Sequence, residues 1–174
     1  MAAALRRELE RWPSPPRVTW VRPDLMHLTL RFLGEVGDAL AGQVRAALEA
    51  PLDVEAFEAG LGPCATLPPR RPPRVIHRDV PVGRPPLGEV KALVDRRLEA
   101  LVGPAERRPF HPHLTLGRVR APGVGPWARA LAIAADGTPA VTWRVDHVTL
   151  FRSELGPDGP SYTPIVVTPL EQDR

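Results

Sequence analysis

The chain has 174 residues, of which 43% are apolar and 25% charged, and its formal net charge is +3. That size suits one compact domain or two small lobes sharing a core, and so modest a charge is compatible with an anionic partner without arguing nucleic-acid binding by itself. The single Cys64 excludes an intrachain disulfide and a multi-cysteine zinc site; with no apolar run of membrane-spanning length and no signal-peptide core near the start, the sequence predicts a soluble, cytoplasmic chain.

In chain order, residues 2–11 are predicted as a helix from the spacing of Leu5, Leu9 and Trp12, ended by Pro13 to Pro16. Val18 to Val21 is a short strand. A second helix opens at Gly37-Asp38 with Asp38 as N-cap, and Leu40, Val44, Ala47 and Leu48 form its apolar stripe up to Pro51. Asp53 to Leu61 is predicted as a strand. Pro63 to Pro73, with five prolines and no periodicity, is predicted as a loop, and Val75 to Val80 as a strand ending at Pro81. Leu87 to Val102 gives the clearest helical signal, with Leu87, Val90, Val94, Leu98 and Leu101 on one side, closed by Gly103-Pro104. A strand over His113 to Arg120 and a short helix over Trp127 to Ala135, closed by Asp136-Gly137, come next. Ala140 to Phe151 alternates as a long strand, Gly156 to Pro160 is a turn, and Tyr162 to Thr168 is the last strand.

One four-residue stretch occurs twice: His27-Leu28-Thr29-Leu30 returns as His113-Leu114-Thr115-Leu116. Residues two apart on a strand point to one face, so each copy sets an imidazole beside a hydroxyl and turns two leucines toward a core. With nine Thr in the chain, five His placed at random would meet a Thr two positions on about 0.26 times, yet this happens three times, at His27, His113 and His147. Strands favour Thr and Leu in any case, so the true excess is smaller, but no stronger signal is present. Two such strands brought together would offer two histidines and two hydroxyls to one small polar ligand.

The segments His27-Leu-Thr-Leu-Arg-Phe-Leu-Gly34 and Pro109-Phe-His-Pro-His-Leu-Thr-Leu-Gly-Arg118 resemble the two HxTx signatures of the 2H phosphoesterase superfamily. The likeness extends to Leu150-Phe-Arg-Ser153 and Tyr162-Thr-Pro164, so it spans nearly the whole chain. The resemblance implies an α+β fold over residues 1–174: a single bilobal domain of two pseudo-symmetric lobes, each an antiparallel sheet backed by helices, with the motif strands lining a central cleft. It implies hydrolysis of RNA 2′,3′-cyclic phosphodiester ends to 2′-phosphomonoesters. His27 and His113 would be the catalytic acid and base, and Thr29 and Thr115 would bind substrate. Neither a metal nor a cofactor is implied. RNA ends carrying a 2′,3′-cyclic phosphate, with tRNA fragments one candidate source, are the expected partners of a monomer. ATP-independent 2′-5′ ligation in the same cleft and a non-catalytic RNA-end-binding module remain the alternatives. Two departures stand out. Such sequences usually begin with a short apolar strand, whereas this chain starts at the helix, and His77 occupies a position where relatives tend to carry an aromatic residue.

The remaining candidates have plainer readings. His147-Val-Thr149-Leu150 fits the short pattern, but its flanks match a later strand of the family, so His147 is expected outside the site. His111 and His113 could form a metal-binding pair, but Pro112 between them argues for a strand entrance, and His111 is expected to shape the approach to His113. Strand parity places Arg118 on the face opposite His113, and Arg22, Arg31 and Arg152 read as surface charges.

Overall fold

The computed structural model describes residues 2–69, 72–135, 140–157 and 159–171. The elements run α1 (Ala2–Glu10), β1 (Arg17–Trp20), a 3-10 turn (Pro23–Leu25), α2 (Asp38–Ala47), β2 (Leu52–Glu55), β3 (Phe57–Leu61), β4 (Cys64–Leu67), β5 (Val75–Asp79), α3 (Arg84–Val102), β6 (His113–Ala121), α4 (Trp127–Ala135), β7 (Val141–Val145), β8 (His147–Gly156) and β9 (Gly159–Glu171). The class is α+β. The chain divides into two compact units, Met1–Leu28 with Gly60–Val82 and His113–Thr142, and Thr29–Ala59 with Gly83–Pro112 and Trp143–Arg174.

The first unit is built on an antiparallel sheet in the order β1-β6-β5-β4. One face buries Ile76 and Leu116 with Leu5 and Leu9 of α1 and Ala130 and Ala134 of α4. Trp12 and Trp127 close this core edge to face, their ring centroids 5.3 Å apart. The stretch from Pro63 to Pro73, expected to be a loop, contains β4. Its residues 64 to 67 lie between the prolines, and β4 is an edge strand, where neighbouring proline costs no central ladder bond.

The second unit holds a separate core, made by Val44 and Leu48 from the α2 segment, Leu52, the α3 stripe Val90, Val94 and Leu98, and Leu170. The predicted stripe of α3 is the buried one, so Leu98→Ala would cost about 2–5 kcal/mol of stability through lost transfer energy and the cavity left behind. Gly83 precedes α3 at φ +75°, and a Cβ there would lie 2.6 Å from the Glu58 carbonyl oxygen; Pro85 and Pro86 then occupy the first turn, where their missing N–H groups cost nothing. Gly37 rather than Asp38 caps α2, and Asp38 is its first helical residue.

The strands of this unit form the sheet β2-β9-β8. β8 and β9 pair antiparallel along their length, whereas β2 runs parallel to β9, so this sheet is mixed. The single strand expected over 53–61 is broken at Ala56 into β2 and β3, and the one expected over 140–151 is broken at Asp146 into β7 and β8. β3 and β7 pair with each other. Asp136-Gly137, read as the close of α4, lies outside the described residues, and of the turn expected over 156–160, Gly156 and Gly159 instead end and begin paired strands.

Candidate active site

The two copies of the motif are held differently. The second forms the start of β6, between β1 and β5. The first, expected to be a strand, makes one isolated antiparallel bridge, Leu28 opposite Leu114. That bridge decides the geometry. Residues directly opposite on an antiparallel pair share a face, so Leu28 lies on Leu114's side, and Leu114 packs on the core. Alternation from that bridge would turn His27, one residue before Leu28, to the other side, that of His113 and Thr115. Antiparallel counting sets His27 across from Thr115 and diagonal to His113, a relation that spans about 7–8 Å in a regular ladder. Thr29, half-buried, is the first residue of the second unit.

The ring of His27 is exposed, and its Nδ1–H donates to the Leu25 carbonyl oxygen at 2.9 Å. The 3-10 turn supplies that carbonyl: Pro23 fixes the start of the turn and the Met26 N–H closes it onto the Pro23 carbonyl. Committing Nδ1 to a carbonyl fixes the neutral tautomer, leaving Nε2 as the atom that accepts or gives up a proton. On the same turn the Arg22 guanidinium donates to both oxygens of Asp24, at 3.2 and 2.5 Å, and holds the Asp24 carboxyl below its ordinary value. Arg22 is thereby tied to its neighbour.

His113 is half-buried and is backed by two residues of β5 to which sequence reasoning assigns no role. The His77 ring is buried and meets the His113 ring edge to face, with centroids 5.1 Å apart and planes at 72°. Asp79 is the direct cross-strand partner of His113, and its carboxylate lies 3.6 Å from His77 Nδ1. A signal is present in the sequence: His77 and Asp79 alternate on a predicted strand, so they share a face, but which strand lies opposite is a tertiary fact. Behind them, on the core face, the Arg78 guanidinium donates to the Gly62 and Leu61 carbonyl oxygens at 2.6 and 3.1 Å.

Arg118 departs from its expected position. The β5–β6 register pairs His113 with Asp79, Thr115 with His77 and Arg118 with Val75, while Ile76 pairs with Gly117. Leu116 is therefore skipped, a β-bulge that reverses the parity of everything after it. Leu116 and Gly117 are both buried; a Cβ on Gly117 would come within 2.8 Å of Val18 Cγ1, so only glycine fits there. Asp79, His77 and Val75 alternate along β5 and share one face, and so do their partners His113, Thr115 and Arg118. A count that ignores the bulge puts Arg118 on the opposite face.

The other candidates separate cleanly. Arg31, read as a surface charge, is mostly buried in the second unit, where it pairs with Asp95 at 3.2 Å and donates to the Gly103 carbonyl at 2.6 Å. His147 is exposed at the start of β8, with Nδ1 2.5 Å from Asp146 Oδ1; that hydrogen bond holds the Asp146 carboxyl below its ordinary value. Arg152 and His111 are exposed residues of the second unit. Burial pushes the thiol of Cys64 up from its ordinary value, which disfavours the reactive thiolate. Among the described residues no helix is long and apolar enough to cross a membrane.

Imidazole and threonine hydroxyl side chains can move protons and donate hydrogen bonds to an anion. Known proteins have similar sequences. A protein of Methanothermobacter thermautotrophicus named RNA 2′,3′-cyclic phosphodiesterase is 30% identical over 87% of this chain and 82% of its own length. One of the same name from Thermus thermophilus is 38% identical over 82% of this chain and 71% of its own. The crystal structure of the Thermus thermophilus protein TT0787 superposes with a TM-score of 0.72 at 29% identity, covering 99% of this chain and 93% of that one. The family described as the 2′-5′ RNA ligase superfamily matches residues 3–157, and the chain belongs to it.

Proposed function

We propose that this chain hydrolyses the 2′,3′-cyclic phosphodiester at RNA ends to a 2′-phosphomonoester, with His27 and His113 as the acid–base pair and Thr29 and Thr115 as hydrogen-bond donors to the phosphate. The observation that carries this reading is the Leu28–Leu114 bridge, because alternation from it would turn His27 toward the face of His113 and Thr115. The names of the relatives support the choice of a cyclic phosphodiester over other phosphate esters.

In this reading His113 takes a proton from water as the water oxygen attacks phosphorus. The P–O3′ bond breaks, and His27 gives its Nε2 proton to the departing 3′ oxygen. Histidine suits both tasks, because an unperturbed pKa of about 6.5 keeps both protonation states accessible near neutrality. The threonine hydroxyls meet charge that grows on the non-bridging oxygens in the transition state. Imidazoles and hydroxyls suffice for every step, so the reaction is expected to need no metal.

The test is an assay of the purified chain on an oligoribonucleotide ending in a 2′,3′-cyclic phosphate, with EDTA present, and identification of the product. Turnover to the 2′-phosphate in EDTA is the expected result. Loss of turnover in EDTA with recovery on adding a divalent ion would overturn metal independence. Binding of the RNA end without turnover would overturn the hydrolase.

A further inference from the structure

We propose that Arg31 is a positioning residue for Thr29: its buried guanidinium, shared between Asp95 and the Gly103 carbonyl, does for the first motif copy what strand pairing does for the second. The inference rests on the hydrolase reading for the role of Thr29 and adds the device that holds that hydroxyl in place.

The two threonines stand on unlike backbones. Thr115 lies in β6, a strand flanked on both edges, and pairs with His77. Residues 29–37 belong to no helix or strand, and the isolated bridge of the first copy is made one residue before Thr29, at Leu28. Leu30 and Leu33 pack on the core of the second unit. Such apolar contact holds a segment down but has no preferred direction, so it leaves the segment free to slide or turn.

Arg31 supplies the direction. Its side chain is 8% exposed, and a guanidinium is rarely so buried unless its donors are met. One terminal nitrogen donates to the Asp95 carboxylate at 3.2 Å and to the Asp95 carbonyl at 3.3 Å; the other donates to the Gly103 carbonyl at 2.6 Å. Gly103 caps α3, an end where carbonyls without intrahelical partners favour a cation. Lys91, one helical turn before Asp95, also donates to its carboxylate and steadies that acceptor. A planar fork gripped at two nitrogens fixes the orientation of the whole side chain, which the point charge of an ammonium cannot reproduce. The helix it grips is itself seated in the core by Val90, Val94 and Leu98. What such a buried pair contributes is geometry more than net stability. Thr29 lies two residues from this tie, and a hydroxyl that must meet phosphate at hydrogen-bonding distance tolerates little displacement.

The test is a double-mutant cycle with a spectroscopic arm. kcat and KM are measured on an oligoribonucleotide ending in a 2′,3′-cyclic phosphate for wild type, Arg31→Lys, Asp95→Asn, Thr29→Ala, and Thr29→Ala combined with each of the other two. Arg45→Gln, which breaks an exposed pair with Glu49 on the second helix segment, is the control, and circular dichroism checks each fold. Arg31→Lys and Asp95→Asn are expected to lower kcat about three- to tenfold with little change in KM, because the hydroxyl acts on charge that grows in the transition state. In the Thr29→Ala background the same substitutions should cost less than about twofold, since the group they position is gone. Arg45→Gln should keep the wild-type values. Equal losses in both backgrounds would make Arg31 a general support of the fold and overturn the proposal, as would unchanged kcat in both single variants. The second arm records methyl spectra of threonine-labelled protein, with Thr29→Ser and Thr115→Ser giving the assignments. The Thr29 methyl signal should move in Arg31→Lys and Asp95→Asn while that of Thr115 stays; an unmoved Thr29 signal would overturn the tie. A wild-type chain without turnover whose Thr29 signal moves in these variants would overturn the hydrolase and keep the tie.

Discussion

β6 and β8 begin with the same kind of sequence, a histidine followed by an apolar residue, threonine and leucine, and they do the same structural work. Leu114 and Leu116 enter the core of the first unit, and Val148 and Leu150 pack on the core of the second. The alternation therefore encodes a half-buried strand in both places. The polar faces differ. His113 lies across from Asp79, meets the buried ring of His77, and is followed by Leu114, which bridges Leu28 of the first motif copy. His147 lies across from Pro169, and its ring bonds the adjacent Asp146 with both side chains exposed. The short motif lies in a strand in β6 and β8 but makes a single bridge at Leu28, so what faces it differs at each place.

Substitutions on the two strands test that contrast. The largest effect is expected from His113→Ala or His27→Ala, since a proton-transfer group typically contributes about 10²–10⁴-fold; kcat/KM on a cyclic-phosphate-ended oligoribonucleotide is the measure. Thr115→Ala, and Thr29→Ala with it, removes one hydrogen bond to a charged phosphate, worth about 1.5–3 kcal/mol, or about 10–150-fold. His77→Ala removes the edge contact that steadies His113, about 0.5–1.5 kcal/mol for an aromatic pair, so a loss of about 2–12-fold in kcat/KM is expected in protein shown to be folded by circular dichroism. Retention of the wild-type rate in folded His77→Ala would show that the ring contact does not position His113.

The smallest effect belongs to β8. His147→Ala is expected to leave the rate unchanged and to touch only stability. The Asp146 carboxyl is held below its ordinary 3.8 by the His147 hydrogen bond, so what it contributes is present above 3.8 and lost as pH falls through the lowered folded value. Both groups are exposed, so solvent screens the pair. Thermal midpoints of wild type and His147→Ala should differ little at neutral pH and converge in acid. A rate loss as large as that of His113→Ala would move the chemistry to β8.

Much of this was legible in the sequence, for local reasons. The stripe of Leu87, Val90, Val94 and Leu98 marks α3 because helical period and burial coincide. The duplicated motif is visible because two-residue periodicity is a property of one strand. What escaped depends on partners. Cys64 to Leu67 form a strand among prolines because β5 offers them an edge. Arg118 changes face because a bulge, set by how β6 registers with β5 and β1, adds one residue to the count. His77 gains a role only with β5 beside β6, and Arg31 becomes a buried ion pair only with Asp95 beside it.

The proposed division of labour, His113 as base on water and His27 as acid on the leaving oxygen, is tested most directly by the pH dependence of kcat/KM. Wild type and the two single His→Ala variants would be profiled on the same oligoribonucleotide. A bell is expected for wild type, because one imidazole must be neutral while the other is protonated, and each variant should lose the limb of its missing group, His113→Ala the acidic limb and His27→Ala the alkaline one. A wild-type bell that survives in either variant with both limbs intact would contradict the pairing.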